Sequence, residues 1–317
     1  MAILPPDNVG IKACVAQLQS GKPVAIPTET VYGLAANAAD GAAIAEVYKL
    51  KARPRFNPLI CHVADEQAAR RLGVFNDAAA KLAAAFWPGP LTLVVPPQAD
   101  CPVDGLASAG LETLAIRVPA HELAQKVLQQ FGGPLVAPSA NPSGRLSPSA
   151  AAHVADLLPQ INVLDGGVCD IGVESTIIGC LDDTPLWLRA GGIARQDIEA
   201  VLGQSLSDVP DDADAEAKLA PGRLARHYAP QSRLRLNADM AEENELLIGF
   251  GPDAPAACAA NLSPRGDMAE AAAALFATLH RLDAQASAQG KTLAVMPIKN
   301  QGLGEAINDR LMRAANR

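Results

Sequence analysis

Aromatic residues are scarce in this chain, 3% of 317 residues. So few rings leave no material for the stacking platforms that hold single-stranded nucleic acid. Cationic charge is also in deficit, with 26 lysines and arginines against 34 acids and a formal net charge of -8. An acidic chain of this kind is a poor general binder of nucleic acid, and any RNA contact has to come from a local basic patch. Six cysteines are present and no two are spaced as CxxC, which argues against a zinc site and a disulfide framework. Scattered thiols fit small buried hydrophobes in a reducing compartment. No apolar run reaches membrane-spanning length, and the first seven residues have no basic segment leading into an apolar one. A cytoplasmic protein with no membrane partner is expected. The P-loop pattern, the HExxH pair and the protein-kinase motif set are missing as well.

What the chain does have is aliphatic bulk. Hydrophobic residues make up 49% of it, enough for a sizeable core of Ala, Leu, Val and Ile, and the length suits two domains. Residues 8–20 carry an amphipathic helical pattern, and a short buried strand at 23–26 runs into Pro27-Thr28-Glu29-Thr30-Val31-Tyr32-Gly33-Leu34. Hydroxyls and a carboxylate at the end of an apolar strand suit a binding floor. They equally suit a turn that satisfies its own backbone through Thr28 and Thr30.

A helix over 40–51, with Asp40 as its N-cap, runs into Lys49, Lys51, Arg53 and Arg55. Four cations within seven residues continue past the point where a helix dipole accounts for them. They suit either a polyanion such as a triphosphate or a solvated charged surface. Further helices are expected over 67–72, 77–86 and 121–131, and strands over 91–95, 111–119 and 134–137. In the strand at 111–119, Thr113, Ala115 and Arg117 share one face. The strand at 134–137 ends in small polar residues, Pro138-Ser139-Ala140-Asn141. Ser147 and Pro148 read as the cap and first residue of another helix, whose start is also a ready anion site.

Strands are expected at 161–164 and 175–178, then Leu186-Trp187-Leu188-Arg189 and a helix over 194–202. From 205 the composition turns acidic, as in a flexible tether, and ends in Arg226-His227-Tyr228-Ala229-Pro230, which is unusual unless it docks. A small α/β unit follows, with strands at 246–250 and 293–298 and helices at 267–282 and 305–315. Gly302-Leu303-Gly304 before the last helix is weak evidence for a nucleotide site and more often a turn.

Taken together, Pro27 to Leu34, Lys51-Ala52-Arg53-Pro54, Asn57-Pro58-Leu59 with His62, Trp87-Pro88-Gly89-Pro90-Leu91-Thr92, Arg117-Val118-Pro119, Pro138 to Asn141, Gly172-Val173-Glu174-Ser175-Thr176-Ile177 and Leu188-Arg189-Ala190-Gly191 resemble the YrdC-like family. The His227-Tyr228-Ala229-Pro230 segment and Gly304-Glu305-Ala306-Ile307-Asn308-Asp309-Arg310-Leu311 extend the resemblance to the family's long form of threonylcarbamoyl-AMP synthases. The resemblance implies an open, twisted, mixed α/β sheet with helices over 1–204, a tether and lid over 205–231, and a smaller Rossmann-like α/β domain over 232–317. It implies that L-threonine, bicarbonate or CO2 and ATP give threonylcarbamoyl-AMP and pyrophosphate, for modification of adenosine 37 in tRNA. Mg2+ is expected with the triphosphate. The proteins that transfer the threonylcarbamoyl group to tRNA are the expected partners, with at most weak contact to tRNA itself.

By the same resemblance, Thr30, His62, Arg117 and Ser175 surround threonine, with Arg117 on its carboxylate. Lys51, Arg53, Asn57, Thr113, Ser139, Asn141, Ser147 and Arg189 line the ATP side, Ala137 adds backbone, and Tyr228 closes over the nucleotide. Lys51 and Arg53 are the catalytic pair. The family's tether has Met, Lys and Tyr where this chain has Arg223, Leu224 and Ala225. The alternative within the same fold is a non-catalytic module for double-stranded RNA. Its discriminating feature is the set Thr30, His62, Arg117 and Ser175, which RNA phosphates do not require.

Overall fold

In the computed structural model, residues 2–208 and 228–316 are described. The first unit is built on strands β1 (Ile3–Leu4), β2 (Val24–Ile26), β3 (Gly33–Asn37), β4 (Ile60–His62), β5 (Leu91–Val95), β6 (Leu114–Arg117), β7 (Leu135–Val136), β8 (Val163–Leu164), β9 (Thr176–Gly179), β10 (Leu186–Arg189) and β11 (Ser207–Asp208). They form one mixed sheet in the order β1-β8-β2-β3-β7-β4-β6-β5-β9-β10-β11. Helices α1 (Asn8–Gln19), α2 (Gly41–Leu50), α3 (Glu66–Leu72), α4 (Asp77–Phe86), α5 (Glu122–Phe131), α6 (Ala151–Leu157) and α7 (Arg195–Leu202) cover it.

On one face, α1 and α5 bury Ile11, Val15, Leu18, Leu123, Val127 and Leu128 against Val24, Ile26 and Leu135. The larger core on the other face is aliphatic, as the composition requires. It runs from Ile44 and Val47 of α2 through Leu91 and Leu93 to Leu275, Phe276 and Leu279 of the second unit. One continuous core therefore joins the two units.

The second unit has four parallel strands, β12 (Leu234–Arg235), β13 (Glu245–Gly249), β14 (Ala260–Asn261) and β15 (Thr292–Val295), in the order β12-β15-β13-β14. Helices α8 (Met268–Gln289) and α9 (Leu303–Ala315) pack on it. This is the expected Rossmann-like arrangement, although α8 runs seven residues further than the pattern indicated. Gly302 makes the turn into α9, whose first residues are Leu303 and Gly304. A Cβ on Gly304 would meet the Lys299 carbonyl oxygen at 2.0 Å, so the glycine permits a close backbone approach.

Two local expectations fail for physical reasons. Ser147 does not cap a helix. Helix α6 begins four residues later, at Ala151 behind Ala150, with no side-chain cap. The Ser147 hydroxyl instead donates to Glu174 Oε1 at 2.5 Å. The sheet also continues past the composition shift at 205: Leu206 is buried, and β11 pairs in parallel with Leu186 and Trp187. The acidic run and the Arg226-His227 pair lie outside the described residues.

Candidate active site

The hairpin of β2 and β3 turns through Thr28 to Val31, and one hydroxyl organises it. Thr28 Oγ1 donates to the Val31 carbonyl at 2.6 Å and accepts from the Thr30 and Val31 amides at 3.2 Å. That fulfils the self-satisfying reading for Thr28. Thr30 does more, because its hydroxyl accepts from Arg117 Nη1 at 2.9 Å. Arg117 arrives from the end of β6, where the parallel pairing with β4 sets it beside His62. Its Nε donates to the Gly89 carbonyl at 3.2 Å, and its Nη2 lies 2.8 Å from Glu29 Oε1.

His62 is 2% exposed, and its Nδ1 lies 3.1 Å from the Ile60 carbonyl, which fixes Nδ1–H as the donor and leaves Nε2 as an acceptor. Burial first, and the Arg117 cation second, push its pKa down to about 3. The ring is neutral at physiological pH. Ser175 joins this wall, its hydroxyl 2.8 Å from that of Thr92 and accepting from Arg189 Nη2 at 3.1 Å.

Other segments supply further cations. The run that looked like a single cluster splits: Lys49 and Arg55 face out, while Lys51 and Arg53 are buried. Arg53 donates from Nε to the Asn57 carbonyl (3.1 Å) and from Nη2 to Asn57 Oδ1 (2.6 Å) and the Pro58 carbonyl (2.9 Å). Lys51 Nζ donates to the Ser139 and Asn141 carbonyls at 2.5 and 2.6 Å. Burial and the neighbouring Arg53 hold its pKa well below the usual lysine value. Burial likewise lowers Arg53 and Arg189 to about 10, still fully charged at neutral pH.

Arg189 reaches inward from β10 and donates to the Ser175 carbonyl from Nε and Nη2. This close packing depends on Gly191, where a Cβ would stand 2.3 Å from backbone atoms of Ser175 and Thr176.

These residues line a cavity that opens to solvent, with about 560 Å3 of space including its mouth. Thr30, His62, Arg117 and Ser175 line it together with Arg53, Ala137, Ser139, Arg189 and Tyr228. Lys51, Asn57, Asn141 and Ser147 stand one layer behind: Lys51 and Asn141 brace the loop that carries Ser139, Asn57 braces Arg53, and Ser147 braces Glu174. Thr113 is not brought to the cavity. It lines a separate surface pocket with Cys101, Leu111 and Leu114. It shares a face with Arg117 but lies four residues away, about 13 Å along an extended chain.

Sequence reasoning gave Glu174 and Arg310 no role of their own. Arg310, on α9, is 0% exposed. Its Nε donates to Glu174 Oε2 at 2.9 Å and its Nη1 to the Ala190 carbonyl at 2.6 Å. Its guanidinium carbon lies 5.6 Å from the centre of the Tyr228 ring. Burial would raise the Glu174 carboxyl, but the Arg310 and Arg189 charges and the hydrogen bonds from Ser147 and Arg310 hold it at about 2. The signal was present: Arg310 falls on the same helical face as Ala306, Ile307, Leu311 and Ala314, where an unpaired arginine cannot stand. Tyr228 is itself buried, its ring centre 5.6 Å from that of Phe276 on α8.

The fold and this cavity define a two-unit α/β protein whose site combines hydroxyls, a neutral imidazole and buried guanidiniums, with residues of the second unit supporting it. The chain belongs to the family whose model, described as telomere recombination, matches residues 16–191, and residues 193–316 match the threonylcarbamoyl-AMP synthase C-terminal domain. The threonylcarbamoyl-AMP synthase of Bacillus subtilis is 43% identical over 248 residues, covering 77% of this chain and 71% of the relative. That of Homo sapiens is 34% identical over 226 residues, 66% and 77% of the two chains. The crystal structure of Pyrococcus abyssi Sua5 complexed with L-threonine superposes with a TM-score of 0.88 at 34% identity, covering 99% of this chain and 98% of that one.

Proposed function

We infer that this chain is a threonylcarbamoyl-AMP synthase, a nucleotidyltransferase that makes threonylcarbamoyl-AMP and pyrophosphate from L-threonine, bicarbonate or CO2, and ATP, for the threonylcarbamoyl modification of tRNA adenosine 37. The observation that carries the reading is one cavity lined by Thr30, His62, Arg117 and Ser175 together with Arg53 and Arg189. In this reading the threonine carboxylate meets Arg117 and its hydroxyl and amine meet Thr30, Ser175 and His62 Nε2. The ammonium of bound threonine gives up a proton to bicarbonate or water, the free amine adds to CO2 as a C–O π bond opens to form the N–C bond, and the remaining surplus proton leaves by the same route to give the carbamate. A carbamate oxygen then attacks the α-phosphorus in line as the bond to pyrophosphate breaks. His62, neutral and weakly basic, is suited to accept a hydrogen bond and unsuited to carry that proton.

Arg53 and Arg189 stabilise charge that develops on the pyrophosphate, and Lys51 acts by shaping the Ser139–Asn141 loop. Tyr228 helps to keep water from the unstable carbamate. Mg2+ is expected to enter with the triphosphate. Among the described residues no three His, Cys, Asp or Glu side chains converge as a metal cage, and both Glu174 oxygens are engaged, so no step is assigned to the ion.

Residues 1–208 carry the chemistry, the stretch between β11 and about residue 231 the tether and lid, and 232–317 the support. Free cysteines throughout and the lack of any helix, among the described residues, able to cross a membrane accord with a cytoplasmic enzyme that passes its product to threonylcarbamoyl-transfer proteins. The RNA-binding alternative is not favoured, because the discriminating residues Thr30, His62, Arg117 and Ser175 are buried, where the phosphates of a duplex do not reach them. The test is pyrophosphate release from ATP with bicarbonate and single amino acids. L-Threonine and bicarbonate are both expected to be required, and equal rates with serine or with no amino acid would sink the assignment.

A further inference from the structure

Glu29 has no part in the reading above, yet it is packed against the group assigned to the substrate carboxylate. The Glu29 and Arg117 side chains are 8% and 4% exposed, with Oε1 and Nη2 2.8 Å apart. The turn cannot drift away, because the Glu29 carbonyl accepts from the Ile171 amide at 2.8 Å. Burial would raise the Glu29 carboxyl, but the adjacent Arg117 charge holds it below the ordinary value, so it is ionised.

We propose that Glu29 is a positioning residue of the amino-acid subsite, which fixes the Arg117 guanidinium and makes the subsite select a zwitterion over a simple carboxylate. The proposal rests on the assignment of Arg117 to the threonine carboxylate. Two nitrogens of one planar group donate hydrogen bonds, to the Gly89 carbonyl and the Thr30 hydroxyl, and the third lies in ion-pair contact with the Glu29 carboxylate. Contacts at all three nitrogens hold the plane and favour one orientation of its open donors towards the cavity. The pair is also neutral overall. An α-amino acid brings its own ammonium and leaves the local charge balanced. A hydroxy acid of the same shape brings a lone anion to a site where Glu29 already repels it.

The test uses the full chain as wild type, Glu29→Gln, Glu29→Asp and Arg117→Lys. The KM for L-threonine and for ATP is measured together with inhibition by 2,3-dihydroxybutanoate, in which a hydroxyl replaces the ammonium. In Glu29→Gln the preference for threonine over the hydroxy acid is expected to narrow by about tenfold, the scale of one charge-assisted contact, with the threonine KM moving and the ATP KM not. Glu29→Asp is expected to keep the preference while raising the threonine KM several-fold. An unchanged preference in Glu29→Gln overturns the proposal, and so does a parallel rise in both KM values, which marks a merely structural role. If Glu29→Gln does not fold, an unchanged threonine KM in Glu29→Asp overturns it instead. An unchanged threonine KM in Arg117→Lys removes the subsite assignment itself, which separates that failure from an error about Glu29.

Discussion

Residue identity matters in this site mostly through burial. His62 is the sharpest case, since nothing in its sequence context distinguishes a ligand from a satisfied core histidine. Its value of about 3 in the folded protein lies below the ordinary 6.5. A depressed value means that protons bind the unfolded chain more readily. The contribution to stability is therefore full above pH 6.5 and is lost as the pH falls through the window down to about 3. One proton gives a slope of at most about 1.4 kcal/mol per pH unit, so acidifying from pH 6.5 to 4.5 costs up to about 3 kcal/mol through this residue. His153 titrates in the same sense, its value lowered to about 4 by burial and by His280. Glu174, held at about 2, contributes above pH 4.5 and loses that contribution only below it, outside the range from pH 6.5 to 4.5. His62→Asn is thus expected to flatten the dependence of unfolding free energy on pH between 6.5 and 4.5, relative to wild type. Parallel curves in urea titrations would mean that His62 is not buried neutral.

At the scale of elements, the sequence was a good guide where a single rule acted alone. Asp40 caps α2 by accepting from the Ala42 and Ala43 amides, and the alternation in β6 sends Ile116 to the core and Arg117 to the site. It was a poor guide where long-range contacts override local preference. Strand β3 went unseen because Gly33, Ala35, Ala36 and Asn37 have little strand propensity. They form a strand because β2 and β7 pair with them on either side. Ser147 has the local chemistry of an N-cap, but Glu174, 27 residues on, takes its hydroxyl. The two roles differ in what they couple to. Ser147→Ala is expected to cost about 1–3 kcal/mol, the range for losing a hydrogen bond to a charged group. A double-mutant cycle with Arg310→Met is expected to show coupling of about 0.5 kcal/mol or more, because both side chains hold one carboxylate. Strict additivity in urea unfolding would mean that Ser147 and Arg310 do not act through one shared carboxylate.

For the whole molecule the question is what joins the two units beyond apolar contact. The second unit sends an arginine into the first, where Glu174, Ala190 and Tyr228 receive it. Glu174 precedes Ser175, and Ala190 follows Arg189, so the clasp grips the residues next to two cavity side chains. Composition and periodicity could not reveal this, because Glu174 and Arg310 are 136 residues apart and meet only once both units have folded. A buried ion pair is weak evidence of net stabilisation, since desolvation offsets much of the attraction. Breaking it from one side nonetheless leaves a charge stranded. Arg310→Met is therefore expected to lose about 3–5 kcal/mol, the range for an uncompensated buried partner. Adding Glu174→Gln to Arg310→Met removes the stranded charge and is expected to restore a substantial part of that loss. The check is urea unfolding of the two single variants and the double variant. If the double variant is as unstable as the sum of the singles, Glu174 and Arg310 act independently, and the apolar core alone holds the units together.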